Sequence, residues 1–296
     1  MQVQTPLYVA SRAVHLCKIA NMDSIQRAYN IVFYERADQR VKDWALMTSP
    51  LPLASIIATY LVTINFILPA FMKNRRPYEL RSIIKWYNVV QIVANAVATW
   101  GIMTSGWTTT YHFGCMLPDY SMDPQALRML RFMWWTVILK LLELFETAFF
   151  VLRKRERQAS FLHVYHHVST LIIVWSGVKY VGGGITSFSP MINNSVHVIM
   201  YSYYLLSAEG SPKLKAFLIK YKKWLTVMQM IQFTIMLIYS AQVFLPSCDA
   251  PLGITIIYFP NVIFVYYMFY NFFKQNYIKK EKETLNKSTN GVNKDV

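Results

Sequence analysis

Three of the chain's six histidines, His163, His166 and His167, fall within five residues of an otherwise apolar run, Phe161 to Thr170. On a helix, spacings of i, i+3 and i+4 bring all three imidazoles within an arc of roughly 100°. Imidazole titrates nearest neutrality of all side chains, so such a face can move protons, attack a carbonyl carbon or ligate a metal. A lone histidine on an apolar face reads as a core residue with satisfied hydrogen bonds. Three on one face argue for a site.

Other polar residues recur at helical spacing inside apolar stretches. Lys140, Glu143, Glu146 and Thr147 follow i, i+3, i+6 and i+7, a strip with room for an internal ion pair. Asn193, His197, Tyr201 and Tyr204 share a second face, and Thr226, Gln229 and Gln232 repeat every third residue. A single strip of this kind can be a polar zip between helices. Four strips, one of them carrying three histidines, describe a polar chamber inside a helical bundle.

The elements that must position these groups are read from composition. The 296 residues are 54% hydrophobic and 16% aromatic but only 15% charged, too few charges for a soluble domain of this length. Apolar blocks of about 20 residues predict membrane spans at about 50–72, 83–105, 129–152, 160–178, 188–208, 224–245 and 253–273. A charge at the bilayer centre costs about 2.5–3.5 kcal/mol, so the buried strips need a reason. The fold class expected is all-α: a polytopic membrane protein of seven transmembrane helices around a polar chamber. Residues 1–48 read as an interfacial, partly helical lead-in with no cleavable signal peptide, 49–274 as the membrane domain, and 275–296 as a polar, disordered tail.

Net charge is +15, which in a soluble protein would raise nucleic-acid binding. Here the membrane explains it better. Most of the 30 Lys and Arg lie in 73–85, 153–158, 211–223 and the tail, whereas the alternate connections hold only Arg128 and Lys179. Short basic connections stay cytosolic, which predicts a lumenal N-terminus and a cytosolic C-terminus. Segment 211–223 interleaves Lys213, Lys215, Lys220, Lys222 and Lys223 with Phe217 and Tyr221. These lysines suit anionic headgroups, and some of them, such as Lys213 and Lys220, a phosphorylated substrate. Arg153, Lys154 and Arg155 invite the same two readings.

In this order the strips resemble the ELO family of very-long-chain fatty-acid elongases. Its K-x-x-E-x-x-D-T pattern is matched by Lys140 to Thr147, H-x-x-H-H by His163 to His167, N-x-x-x-H-x-x-M-Y-x-Y-Y by Asn193 to Tyr204, and T-x-x-Q-x-x-Q by Thr226 to Gln232. Glu146 stands where the family usually has Asp, keeping the carboxylate and adding a methylene. The resemblance covers about 49–275. It implies a 3-oxoacyl-CoA synthase of the endoplasmic reticulum membrane that condenses malonyl-CoA with a long acyl-CoA. Its catalytic residues would be His163, His166, His167 and His197, with His166 as a nucleophile that spacing alone cannot rank above the others. Lys140, Glu143, Glu146, Asn193, Tyr201, Tyr204, Gln229, Gln232, Lys213 and Lys220 would bind substrate, and an apolar tunnel would hold the acyl chain.

The resemblance also implies that Cys115 and Cys248, both in connections assigned to the oxidising lumen, form a disulfide rather than remaining free thiols. No metal or redox cofactor is expected. The partners implied are the two CoA thioesters, the bilayer and the other enzymes of the elongation cycle, with homo- or hetero-oligomers left open. Two other classes compete. A membrane di-iron desaturase or hydroxylase also uses H-x-x-H-H boxes but needs about eight histidines by family resemblance, and a transporter would line a path with the same strips. The sequons at Asn193 and Asn286 are expected to carry no glycan, one lying within a span and one in the cytosol.

Overall fold

The computed structural model describes residues 23–279. Among them there is no strand, and seven long helices carry the chain: α1 Leu51–Met72, α2 Arg81–Trp107, α3 Pro124–Leu152, α4 Phe161–Val181, α5 Phe188–Glu209, α6 Pro212–Ser240 and α7 Thr255–Phe273. By length and composition α1, α2, α4, α6 and α7 are apolar enough to cross a membrane. The remaining two, α3 and α5, are long enough, but they carry the polar strips. The protein is a polytopic membrane protein.

Local chemistry sets the helix starts. Asp123, Ser160 and Ser211 each turn a side-chain oxygen onto the first turn of α3, α4 and α6, and Pro124 and Pro212 occupy the first helical position. The Ser160 hydroxyl accepts from the His163 amide at 3.3 Å, so the cap fixes the phase at which the histidines leave the helix. Helix α4 ends in three glycines. At Gly184 (φ 52°) a Cβ would sit about 2.5 Å from the Leu117 carbonyl, so only glycine lets the α2–α3 connection approach this turn.

Helices α2, α3, α4, α7, α6 and α5 neighbour one another in that order and close a ring, with α1 packed outside against α3. Across the ring α3 also touches α5. That pinch leaves a polar layer where the two helices meet and an apolar space among α4, α5, α6 and α7. On the far side from the basic connections, Cys115 is disulfide-bonded to Cys248, tying the α2–α3 connection to the α6–α7 connection. The Met116 carbonyl there accepts from the Ile185 amide at 2.7 Å.

Several expectations change. The lysine-rich segment 211–223 is the first half of α6, not a connection. A capped start and straight-chain lysines, which keep most of their rotamer freedom in a helix, favour this. Lys179 lies inside α4, buried, and donates to the Met47 carbonyl. Beside it the Leu46 carbonyl accepts from Trp175 at 2.8 Å and the Ala45 carbonyl from Trp134 at 3.0 Å. Residues 37–48 are therefore docked against α3 and α4, more firmly than an interfacial lead-in. Helical structure beyond α7 runs on over Lys274–Ile278, past the expected start of the tail. Residues 1–22 and 280–296, with Asn286, lie outside the described residues.

Candidate active site

The polar layer is built from facing side chains of α3, α4 and α5. Lys140 and Glu143, one turn apart on α3, are both fully buried, and Lys140 Nζ donates to Glu143 Oε1 at 2.8 Å. From α5, His197 Nδ1 meets the same oxygen at 2.8 Å and lies 3.3 Å from Lys140 Nζ. A buried charge pair tolerates removal from water only when further hydrogen bonds satisfy it, and His197 supplies one. The other oxygen, Glu143 Oε2, and His167 Nδ1 are both buried without a partner, facing each other at 3.7 Å. A small closure would join them.

Helix α4 contributes its box from the opposite side. His163 Nε2 lies 3.0 Å from Thr147 Oγ1, which is itself 2.8 Å from the Tyr60 hydroxyl of α1. His167 Nε2 stands 4.0 Å from Glu146 Oε2, and the rings of His163 and His167 are 4.2 Å apart. On its other side Glu146 faces the hydroxyl of Tyr201 at 3.4 Å.

His166 differs from the other three. Its ring makes no hydrogen bond among the described residues and faces Phe233 and Phe269 at 6.4 and 6.1 Å between centroids. Phe233, together with Thr170 one turn along α4 and Asn193 on α5, lines an apolar cavity. The cavity extends away from the polar layer between Gly177, Tyr258 and Val262, and reaches Val243 and Ala250 beside the disulfide-tied connection. The His166 imidazole therefore lies between the cavity wall, at Phe233 and Thr170, and the ion-paired layer, at His167.

The structure brings together Lys140, Glu143, Glu146, His163, His167, His197 and Tyr201, and it sets Asn193 in the cavity wall. Tyr204 packs its ring 6.0 Å from that of Tyr201. Gln229 and Gln232 point instead to methionine sulfurs, those of Met200 at 3.5 Å and Met236 at 3.6 Å, and no hydrogen bond joins them to the histidines among the described residues. Lys213 and Lys220 are exposed on the first half of α6, outside the cluster, because the helix that carries them projects beyond the ring. Sequence reasoning missed Tyr87, Asn88, Gln91 and Asn95 on α2, although their 3.6-residue recurrence was as legible as that of the other strips. Glu146, His163 and His167 offer three donor atoms within 4.8 Å of one another, a set able to hold one metal ion.

The profile of the ELO: GNS1/SUR4 family matches residues 45–285. The chain is 38% identical to very long chain fatty acid elongase 7 of Drosophila melanogaster over 86% of this chain and 78% of that protein. It is 38% identical to mouse and 39% to human very long chain fatty acid elongase 1, in each case over 88% of this chain and 93% of the relative.

Proposed function

The chain belongs to the ELO (GNS1/SUR4) family, and on that premise we propose that it condenses malonyl-CoA with a long-chain acyl-CoA, as a very-long-chain 3-oxoacyl-CoA synthase of fatty-acid elongation. The observation that carries the reading is His166, a half-buried imidazole with no hydrogen bond among the described residues, beside Phe233 and one turn from Thr170 in the wall of an apolar cavity.

A nucleophilic imidazole needs an uncommitted lone pair and an electrophile held nearby. With the acyl tail in the cavity, the thioester carbon lies at the cavity mouth. A ring nitrogen of His166 bonds to that carbon, the carbon–sulfur bond breaks, and the imidazole proton leaves with CoA as the thiol. Malonyl-CoA then loses CO2, and the enolate carbon takes the acyl group as the acyl–nitrogen bond breaks. The imidazole regains a proton, and 3-ketoacyl-CoA departs. The fixed donors of the polar layer, Lys140 Nζ above all, stabilise the charge that develops on the thioester oxygen in a water-poor site. His163 and His167, held against Thr147 and the two carboxylates, orient the box.

The rival is direct condensation in a ternary complex, with the histidines acting only as acid, base and oxyanion donors. Incubation with acyl-CoA alone separates the two. The covalent route predicts CoA release and one acyl mass on His166, absent in His166→Ala. Neither signal, in enzyme that elongates normally once malonyl-CoA is added, would establish the ternary route.

In this reading seven helices span the endoplasmic reticulum membrane with the N-terminus lumenal. The exposed lysines of α6, Lys213 and Lys220 included, and a recess lined by Arg76, Arg81, Arg153 and Arg155 then meet CoA phosphates or lipid headgroups at the cytosolic face. The other enzymes of the elongation cycle act there on its product. Glycan on Asn286 would reverse the orientation. The reaction uses no metal. Stoichiometric iron in active, purified protein, with activity lost on chelation, would turn the Glu146–His163–His167 donor set into an oxidative centre and overturn the condensation reading.

A further inference from the structure

Helix α2 turns a row of amides and a phenol inward although it faces a membrane on its other side. Tyr87, Gln91 and Asn95 succeed one another every fourth residue, and Gln91 and Asn95 are completely buried. They form a hydrogen-bonded chain whose direction is fixed by one contact. Asn95 Nδ2 lies 2.8 Å from the Gln91 backbone carbonyl, which can only accept, so the amide nitrogen must face it. The same nitrogen lies 3.0 Å from the Gln91 side chain, which must therefore present Oε1. That leaves Gln91 Nε2 to donate to the Tyr87 hydroxyl at 3.2 Å. With its oxygen accepting, Tyr87 turns its single proton forward. The Tyr201 hydroxyl lies 3.5 Å ahead, and it spends its own proton on Glu146 Oε2 at 3.4 Å. The Leu142 carbonyl, at 3.4 Å, competes for the Tyr87 proton.

With the Tyr87 proton on Tyr201 rather than on Leu142, every donor from Asn95 onward points toward one oxygen of Glu146. Donors in series polarise one another and end as a positive pole on the last acceptor. At the far end Asn95 Oδ1 is buried without a partner, an arrangement that packing alone would select against. We propose that Tyr87 is a positioning residue: backed by Gln91 and Asn95, it holds the Tyr201 hydroxyl on Glu146 and so fixes that carboxylate for the reaction proposed above. The reaction is the premise for its catalytic consequence only; the hydrogen-bond chain stands without it. The two longest links, 3.4 and 3.5 Å, are those nearest the reacting groups, where hydrogen bonds in ligand-free enzymes shorten on substrate binding. The longer Glu side chain at this position has one more rotatable bond to restrain than Asp. The groups facing it are Glu143 on its own helix, His163 and His167 from α4, Tyr201 and Tyr204 from α5, Tyr87 from α2 and Tyr60 from α1. Of these hydroxyls only that of Tyr201 is bonded to Glu146 among the described residues.

The test is a double-mutant cycle in the full-length purified enzyme, read by kinetics and by infrared spectroscopy. Tyr87→Phe removes one oxygen and keeps the ring. It is expected to lower kcat by up to about tenfold with KM for acyl-CoA unchanged, the scale of losing one neutral hydrogen bond. In a Glu146→Gln background the same substitution is expected to change nothing further. The carboxylate stretch assigned to Glu146 by its loss in Glu146→Gln is expected to move in Tyr87→Phe, and that readout needs no turnover. An equal loss of kcat in both backgrounds, or an unmoved band, overturns the proposal. If Tyr87→Phe does not fold, Gln91→Met interrupts the chain one link back and is judged by the same two readouts. A wild type that elongates no acyl-CoA would end the elongase reading while the infrared result still judges the chain.

Discussion

The polar layer and the apolar cavity are built on shared helices but are specified by different forces. In the layer, Lys140, Glu143 and His197 satisfy one another within 2.8–3.3 Å, and each removed atom leaves a buried partner unpaired. In the cavity, Ile173, Val174, Phe233, Met236 and Val262 supply non-directional contact, so its walls tolerate change that keeps volume and loses only shape. Helix α4 serves both: its first two turns carry the histidines and the turns that follow, Thr170 to Gly177, line the cavity. The contrast implies that substitutions in the layer act on rate and stability, whereas those in the cavity act on which substrates fit.

The strongest way to break this contrast is at the boundary. His166→Ala should reduce elongation on the order of 10³-fold or more, with little change in melting temperature, since the ring makes no hydrogen bond among the described residues. Turnover of purified variant, followed by mass spectrometry of products, reads it. A mild loss would move the chemistry to another histidine. Next comes Glu143→Gln, which leaves Lys140 buried beside a neutral amide. Breaking such a pair costs about 3–5 kcal/mol, so chemical or thermal unfolding should show a large loss along with the loss of activity.

In the cavity, Gly177→Ala should do the opposite. The new Cβ meets Ile254 Cδ1 at an ordinary 3.9 Å, so the helix gains about 0.4–1 kcal/mol while the cavity narrows. The expected result is a raised melting temperature with products shifted toward shorter acyl chains. Unchanged products would mean the acyl tail does not pass Gly177. The smallest effect belongs to Glu209→Gln. Its ion pair with Arg81, 2.8 Å long, is open to solvent at the end of the bundle. Ionised Glu209 is favoured by this partner, but salt and water screen the pair, and no change in melting temperature should be measurable. The pairs Lys140–Glu143 and Arg81–Glu209 are both cation–carboxylate contacts of 2.8 Å, one buried and one open to solvent, so the two variants together contrast chiefly in burial.

Much of this architecture was legible in the amino-acid order. The apolar blocks set the helices to within a few residues of their observed ends at α1 and α2, because backbone groups in hydrocarbon have no partner but their own helix. The 3.6-residue period put Lys140, Glu143 and Glu146 on one face, and the spacing of His163, His166 and His167 placed them on another. The same period would have revealed Tyr87, Gln91 and Asn95, had a strip without charges or histidines been weighed equally. Composition misled at 211–223, where lysines read as a connection continue a helix.

What no linear pattern contains is which faces meet. The order α2, α3, α4, α7, α6, α5 around the ring decides that His197 closes on Glu143 while Gln229 and Gln232 turn to sulfur. It also decides that His163 and His167 are held against α3 while His166 is left facing the cavity. Periodicity fixes angles about one helix axis, but hydrogen bonds need distances between axes, and those arise only when helices far apart in sequence pack together.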